Sequence, residues 1–300
     1  FISNEFNAAH PEYKGILQCH GYEYENTPNE FESSHFERRK EQLTQSPWTL
    51  YGKLAIDAFT CEKLMLPKTK IRIKLIRSRA NFHLICETPL PNNAVKITHA
   101  SLFTRRVAVH GDMQRMIESQ LTRQPARYHF NEIESRSFIV PDGQNQFIQE
   151  NVFNNVPIRR LVIAMNTNAA FSGSFNENPF HYRKFGLREI RVIRGHQPVV
   201  YMSTVQNSQA YVTTMKAMEF NDETPALPFD QFEHHYILVF DLTSLQDAAD
   251  QIHYPELIGG SLRLEMYFED SLEKALEVIV LGERLSTIYI DRAGSVVKND

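Results

Sequence analysis

Short segments in which apolar and polar residues alternate recur along the chain from Ser46 onward, and they constrain the fold more than any other feature. In 262–268 every second residue is apolar, and in 71–75 apolar residues alternate with basic ones. Successive side chains of a β-strand point to opposite faces, so this pattern predicts strands that are buried on one face. Segments 236–240 and 276–281 are more continuously apolar, which predicts strands covered on both faces.

Strands outnumber helices in the rest of the sequence. Further β-rich stretches are 48–59, 95–109, 128–140, 160–165, 190–192 and 286–291. Two short helices are predicted, one capped by Asp112 and one capped by Ser208. The apolar residues that recur at helical spacing in them are Met113, Met116, Ile117, Leu121, Tyr211, Val212, Met215 and Met218. Because alternating βαβ units are absent from this pattern, the predicted fold class is all-β: an antiparallel jelly-roll sandwich with a few short loop helices.

Residues 1–45 differ in composition from the remainder. Glu, Asn, Ser and His dominate there, no sustained alternation is present, and charged residues crowd into 37–41. We expect a loop or an arm, with a short helix over 28–43. The chain begins with Phe rather than Met, so we expect it to be processed or to be part of something longer.

The net charge and the cysteine residues indicate which kinds of protein and which cellular compartment fit this sequence. The net charge is −4, whereas a nucleic-acid-binding protein usually carries a basic excess. The basic pairs at 105–106 and 159–160 are interpreted as solvated rims, so we expect no specific nucleic-acid binding. Cys19, Cys61 and Cys86 are odd in number and far apart, which indicates synthesis in a reducing compartment, the cytoplasm or the nucleus. No apolar run approaches the ~18–20 residues of a membrane helix.

Motifs that carry catalytic chemistry are missing from the sequence. Neither of the two glycine-rich phosphate-binding patterns occurs, and 172–174 lacks the flanking glycines of a nucleophile elbow. His234 and His235 are adjacent, so on a strand they would point to opposite faces and could not bind one ion. Paired carboxylates for glycoside hydrolysis remain open, because nothing singles out two of the 36 acidic residues. The sequence predicts no catalytic residue, no metal site and no cofactor.

One aromatic stretch stands out between 170 and 190. Four aromatic residues surround an Asn-Pro turn in which proline fixes its own φ and favours an extended residue before it. A loop this aromatic is expected to pack on its own domain or against a neighbouring chain. The residues predicted to form a packing loop between rolls or subunits are Phe175, Asn178, Pro179, Phe180, His181, Tyr182 and Phe185.

Several motifs follow one another in a distinctive order. They are 46–57 (SPWTLYGKLAID), 71–78 (IRIKLIRS), 82–84 (FHL), 160–163 (RLVI), 170–174 (AFSGS), 178–182 (NPFHY), 240–243 (FDLT), 260–268 (GSLRLEMYF) and 288–291 (IYID). In this order the chain, over 43–297, resembles the C-terminal portion of the capsid-like proteins carried by Polinton (Maverick) self-synthesising DNA transposons and their adintovirus-like relatives.

The resemblance implies a double jelly-roll major capsid protein. Two eight-stranded rolls would stand side by side, three subunits would form a pseudo-hexagonal capsomer, and capsomers would form the icosahedral shell of a virion. Residues 46–300 would be the second roll, and residues 1–45 the end of the first roll with the connector. The implied partners are further copies of the chain, as a homotrimer and then a lattice, with penton and minor capsid proteins. The implied role is structural rather than enzymatic.

Two other classes remain open for a jelly roll. One is a lectin-like module that recognises a glycan or peptide on its loops. The other is an enzyme of the cupin or glycosidase type, although the H-x-H pair of a cupin is absent from the sequence.

Overall fold

A computed structural model describes residues 51–52, 54, 56–59, 63–67, 69–83, 96–218, 229–232, 235–248 and 260–299. These residues form nine strands and five α-helices. The strands are β1 (Ala126–Val140), β2 (Gln146–Gln149), β3 (Arg160–Thr167), β4 (Leu187–Arg194), β5 (Gln197–Ser203), β6 (Ile237–Asp241), β7 (Leu262–Phe268), β8 (Leu276–Ile290) and β9 (Val296–Asn299). The helices are α1 (Ala80–His83), α2 (Gly111–Arg123), α3 (Asn168–Ser172), α4 (Asn207–Ala217) and α5 (Phe229–Phe232).

The strand order is that of a jelly roll. One sheet runs β1-β8-β3-β6, with β9 added to β8, and the other runs β2-β7-β4-β5. The first strand therefore lies beside the eighth, the second pairs with the seventh, the third with the sixth and the fourth with the fifth. A chain that folds back at its middle and then wraps into two sheets produces these four nested pairs. The prediction of an all-β antiparallel jelly roll is confirmed.

The two sheets bury an apolar core between them. Leu161, Ile163 and Met165 of β3 lie opposite Gly282, Val280 and Val278 of β8, so these side chains share one face. The second sheet supplies its own inward row from β4, β5 and β7. Those buried residues are Ile190, Val192, Met202, Leu262, Leu264, Met266 and Phe268. The alternation read in 262–268 is thus confirmed, with its apolar positions in the core.

Gly282 marks the tightest contact in this core. A β-carbon placed on it would lie 2.7 Å from Cζ of Phe153 and 2.8 Å from Cδ1 of Ile158. Both neighbours are buried, with 1% and 3% of their surface exposed. The connection between β2 and β3 therefore packs its side chains directly onto the backbone of β8.

An ion pair joins β3 to β8 on the opposite face of the same sheet. Arg160 and Glu283 face each other in register, and Nε of Arg160 donates to Oε2 of Glu283 at 2.8 Å. The Nη2 group donates to the same oxygen, and Nη1 donates to the carbonyl of Ala217 at 3.3 Å. Because the Glu283 side chain is only 8% exposed, this pair is largely removed from water.

Helix α4 seals the free edge of β6, the last strand of its sheet in the order above. The Thr214 hydroxyl accepts a hydrogen bond from the Val239 amide at 3.3 Å and donates to the Ile237 carbonyl at 3.5 Å. These two backbone groups point away from β3, where a further strand would otherwise bind. One hydroxyl therefore occupies both positions.

Replacing Thr214 with valine is expected to lower the free energy of unfolding by about 1–2 kcal/mol, because the buried Val239 amide loses its acceptor. Urea titration monitored by far-UV circular dichroism measures this loss of unfolding free energy. The control Thr214→Ser keeps the hydroxyl and should lose distinctly less. Equal urea midpoints for the two variants would mean that the hydroxyl contributes nothing at this edge.

The chain divides into two compact units, one of which contains residues 134–284 and one of which contains 52–77, 94–133 and 285–300. In the second unit, Nδ1 of His129 lies 2.8 Å from the Thr287 hydroxyl and Tyr128 donates to the Leu64 carbonyl at 3.1 Å. Burial, together with the nearby cations Lys63 and Arg127, lowers the pKa of His129. This imidazole is therefore neutral at pH 7.

Several strand predictions are wrong for the residues that can be compared. Segments 71–75 and 96–109 form no strand, and the described residues of 48–59 contain only a 3₁₀ turn at Asp57–Phe59. The alternating pattern is present in 71–75, but a strand also needs a neighbouring strand for its hydrogen bonds. No described strand pairs with it. The helix expected at 28–43, like all of residues 1–45, lies outside the described part of the chain.

Other predictions need correction in detail. Helices α2 and α4 form where expected, but their N-caps are His110 and Gln206 rather than Asp112 and Ser208. Val212 is exposed instead of lying on the packed face of α4. The two segments 276–281 and 286–291 belong to one strand, β8, and three strands were not predicted: β2, β5 and β9. The prediction that 236–240 is a strand buried on both faces is confirmed in β6, where Val239 on the outer face is 3% exposed.

Candidate functional site

The aromatic loop predicted from the sequence connects β3 to β4. We define the aromatic loop as residues 173–186, after the short helix α3. Thr167 caps that helix by accepting a hydrogen bond from the Ala170 amide at 3.2 Å, and its hydroxyl donates to the carboxylate of Glu177. The cap thus fixes the start of the loop and holds its midpoint at the same time.

The Asn-Pro turn is fixed to the sheet by hydrogen bonds from a buried asparagine on β3. The side-chain amide of Asn166 donates to the Pro179 carbonyl at 2.8 Å and to the Asn178 carbonyl at 3.3 Å. Oδ1 of Asn178 accepts from the Phe180 amide at 2.9 Å, which closes the turn. Asn178 and His181 are buried, with 4% and 6% of their surface exposed. The turn is therefore anchored to the sheet by its polar atoms.

The second half of the loop is held by backbone contacts. The Tyr182 carbonyl accepts from the Tyr236 amide at 3.0 Å, and the Arg183 amide donates to the Met165 carbonyl at 3.3 Å. The Arg183 guanidinium lies 4.9 Å above the centre of the Phe185 ring. Phe185 adopts a φ of 50°, a conformation that non-glycine residues rarely take, immediately before Gly186 at 68°.

Phe180 is the most exposed aromatic residue of the aromatic loop. It is 41% exposed, whereas Phe175, Tyr182 and Phe185 are half-buried and Pro179 is buried. The loop therefore folds onto its own unit, which is one of the two outcomes expected from the sequence. One aromatic ring, that of Phe180, remains partly exposed to solvent.

Sequence reasoning missed the aromatic neighbour of Phe180. The Phe82 ring on α1 meets it edge-on, with centroids 5.6 Å apart, and Asn81 donates to the Gly173 carbonyl at 2.7 Å. An open cleft of about 360 Å³ lies beside this contact, lined by Ser78, Arg79, Phe82, Phe171 and Ser172. The sequence signal was the motif 82–84, which carries no indication of its distant partner.

A second polar cluster lies on the outer face of the β4, β5 and β7 sheet. The Arg191 guanidinium stacks between the rings of Tyr201 and Tyr267, at 5.4 and 5.3 Å, and donates to Glu189. Tyr267 donates to Glu265 at 3.1 Å, and burial together with this bond raises the pKa of the phenol. Tyr267 therefore stays protonated at neutral pH and can donate its hydrogen bond to Glu265.

The described residues contain neither a group of metal ligands nor a membrane-spanning helix. Among them, no three His, Cys, Asp or Glu side chains are grouped as metal ligands would be. Nor does any helix in these ranges have the length and apolar character needed to cross a membrane. Of the predicted histidine pair, His234 lies outside the described residues, and so do Cys19, Cys61 and Cys86.

Comparison with known proteins finds likeness only among solved structures, since no family model and no curated protein matches the chain. The mavirus major capsid protein is 9% identical, with a TM-score of 0.39 over 59% of this chain and 41% of that one. PBCV-1 VP54, fitted into a reconstruction of the virophage Sputnik, is 11% identical, with a TM-score of 0.40 over 62% and 54%. The major capsid protein P2 of bacteriophage PM2 is 11% identical, with a TM-score of 0.30 over 52% and 45%.

The chain thus matches between 41% and 54% of the length of these structures. The strand order, and not these alignments, identifies the fold of this chain as a jelly roll.

Proposed function

We propose that this chain is a structural capsid protein, part of a double jelly-roll major capsid protein of a Polinton or adintovirus-like element. The observation that carries the proposal is the nested strand pairing of β1 to β8, which is used by viral capsid domains as well as by lectins and cupins. Fold alone does not choose among these classes. The order of sequence motifs, which resembles the Polinton capsid-like proteins, favours the capsid.

On this proposal the chain acts through its surfaces rather than through catalysis. Residues 46–300 contain the second roll, whose eight strands occupy residues 126–290, and residues 1–45 contain the end of the first roll and the connector. Copies of the chain associate as trimers and then as a shell in the virion, with penton and minor capsid proteins as further partners. Interfaces of this obligate kind usually bury on the order of 2,000–5,000 Å².

Negative-stain microscopy of the purified protein tests the proposal directly. Flat-topped trimers or closed icosahedral particles are the expected result. A lectin-like module or an enzyme would instead give featureless globules, and binding to a glycan array without self-association would favour the lectin. Globules at every protein concentration tested would overturn the capsid assignment.

Within this function, the aromatic loop is proposed to contact a neighbouring roll or subunit through Phe180. Replacing Phe180 with aspartate should abolish trimers, because a carboxylate would be buried in an apolar contact without a partner. Static light scattering reports the change as a fall from trimer to monomer mass. Since Phe180 is 41% exposed, the monomer itself should keep its fold.

Phe180→Leu is the matched variant for this test, because it keeps an apolar side chain and should retain trimers. Leu245→Asp adds the same charge at another exposed apolar position, which is 76% exposed, and should also leave trimers intact. Trimers of Phe180→Asp with wild-type stability would contradict the assigned role of the loop.

A further inference from the structure

The chain contains two regions of opposite net charge, although its total net charge is only −4. Residues 52–77, 94–133 and 285–300, which form the second unit, carry 15 Lys and Arg against 7 Asp and Glu, a net charge of +8. Residues 134–284, which contain most of the jelly roll, carry 12 Lys and Arg against 20 Asp and Glu, a net charge of −8. Opposite fields of this size on one chain attract the complementary region of another copy.

The positive charge of the second unit is concentrated in two segments without any acidic residue. We call 69–77 and 96–110 the basic segments. They carry Lys70, Arg72, Lys74, Arg77, Lys96, Arg105 and Arg106. Neither segment forms a helix or a strand, and nearly all of their residues are exposed.

Exposed apolar side chains are interleaved with these charges. Leu75 is 73% exposed and Ile76 is 80% exposed. The others of more than 40% exposure include Ile71, Ile97, Leu102, Val107 and Val109. Several exposed large apolar side chains within two short segments are unusual for a surface that only water contacts, and they favour an interface.

The jelly-roll unit offers a matching acidic surface. Loops 141–145 and 269–275 are joined by hydrogen bonds from the Gly143 amide to the Leu272 carbonyl at 2.7 Å and from the Leu272 amide to the Gln144 carbonyl at 2.9 Å. We call them the acidic loop pair. Their exposed carboxylates belong to Asp142, Glu269, Asp270 and Glu273, beside the single cation Lys274.

The acidic loop pair differs from four other carboxylates of its unit in having no arginine partner. Glu134, Glu189, Glu265 and Glu283 each form an ion pair with an arginine inside the unit. None of the four carboxylates of the acidic loop pair makes an ion pair with a described residue. Their charge is therefore available to a partner.

We propose that the basic segments bind a second copy of this chain: their apolar residues are buried in the contact and their Lys and Arg side chains face the acidic loop pair of that copy. The inference rests on the proposed capsid function and specifies which surfaces meet. A second copy accounts for both the apolar residues and the charge, whereas a nucleic acid accounts for the charge alone.

Charge reversal and its rescue test the contact. Arg72→Glu/Lys74→Glu on one side, or Asp270→Lys/Glu273→Lys on the other, should each weaken self-association by roughly a hundredfold in apparent dissociation constant. Mixing the two double variants should restore association toward wild type, because opposite charges again face each other across the contact. Sedimentation velocity at low and high salt measures this, and wild-type association should weaken with salt.

Ile71→Glu/Leu75→Glu tests the apolar side and should weaken association at least as strongly, with an unchanged melting temperature because both residues are exposed in the single chain. Leu245→Glu, at a position outside both surfaces, is the control and should associate like wild type. Wild-type association by these variants, or mixing without rescue, would overturn the inference.

The outcomes separate this inference from the proposed function. If the wild-type protein forms trimers or shells and all variants do so equally, only the contact assigned here is wrong. If the wild-type protein never self-associates, both fail. If Arg72→Glu/Lys74→Glu assembles normally but loses retardation of a random-sequence DNA duplex or binding to anionic vesicles, the basic segments bind that polyanion and the inference is overturned.

Discussion

Replacing Gly282 with alanine is expected to destabilise the jelly roll by about 1–3 kcal/mol, and replacing it with valine by more. The added methyl group would approach Phe153 and Ile158 to below 3 Å, and neither side chain has solvent to move into. The backbone of β8 is fixed by its pairing with β3, so it cannot yield without breaking the ladder. Urea denaturation of the purified variants measures the loss as a lower midpoint with an unchanged slope.

A second substitution identifies the cause. In the Gly282→Ala background, Phe153→Leu should cost less than it does in the wild-type chain, because the smaller side chain makes room for the methyl group. Gly111→Ala, where an added β-carbon meets nothing within 4 Å, is the control and should be nearly neutral. Additive costs for Gly282 and Phe153 would show that the two positions do not compete for space.

Removing one partner of the Arg160–Glu283 pair should cost about 3–5 kcal/mol, since the other charge would then be left largely buried. Arg160→Met should also detach the end of α4, because the guanidinium donates to the Ala217 carbonyl. Chemical denaturation monitored by circular dichroism gives the cost, and increased hydrogen exchange in α4 would report the detachment.

The double variant Arg160→Met/Glu283→Leu is the critical control for this pair. It removes both charges and should recover most of the stability lost by either single change. A double variant as unstable as the sum of the two single variants would mean that the charges act independently, and the pair would then not be the reason for the loss.

The sequence predicted the all-β class because the core strands carry their own pattern. In β7 the alternation between apolar and polar residues is complete, and each apolar residue is buried. The prediction was less successful where a strand depends on its partner. β5 contains Pro198 and exposed Val199 and Tyr201, and it is a strand because it pairs with β4. The Gly195-His196 turn between β4 and β5 was the available signal for this hairpin.

Long-range contacts explain why β8 was read as two segments. Gly282 and Glu283 interrupt its apolar pattern in the middle of the strand. The structure accounts for both: the glycine admits Phe153 and Ile158, and the glutamate receives Arg160 from the neighbouring strand. Neither partner is near in sequence, so a local pattern could not reveal that the strand continues.

The sequence indicated that the aromatic loop would be packed, but it could not indicate how the loop would be oriented. An Asn-Pro turn among aromatic residues indicated a packed loop, and the burial of Asn178 and His181 agrees with that. The sequence could not show that Asn166 on β3 would hold the turn or that Phe180 would be the exposed ring. Both depend on the register of strands that lie far apart in the chain. The opposite case is 71–75, where a regular strand pattern is present without a described partner strand.

The hydroxyl of Thr214 limits how the sheet that ends at β6 can extend between molecules. An unblocked strand at a sheet margin invites another strand, and another after it, and such growth leads to ribbons without a terminus. The outward carbonyl of Ile237 and the outward amide of Val239 are already occupied by a helix side chain, so this edge of the sheet is blocked at these two positions. Any extension of this sheet by a strand of another molecule must therefore use an edge other than that of β6.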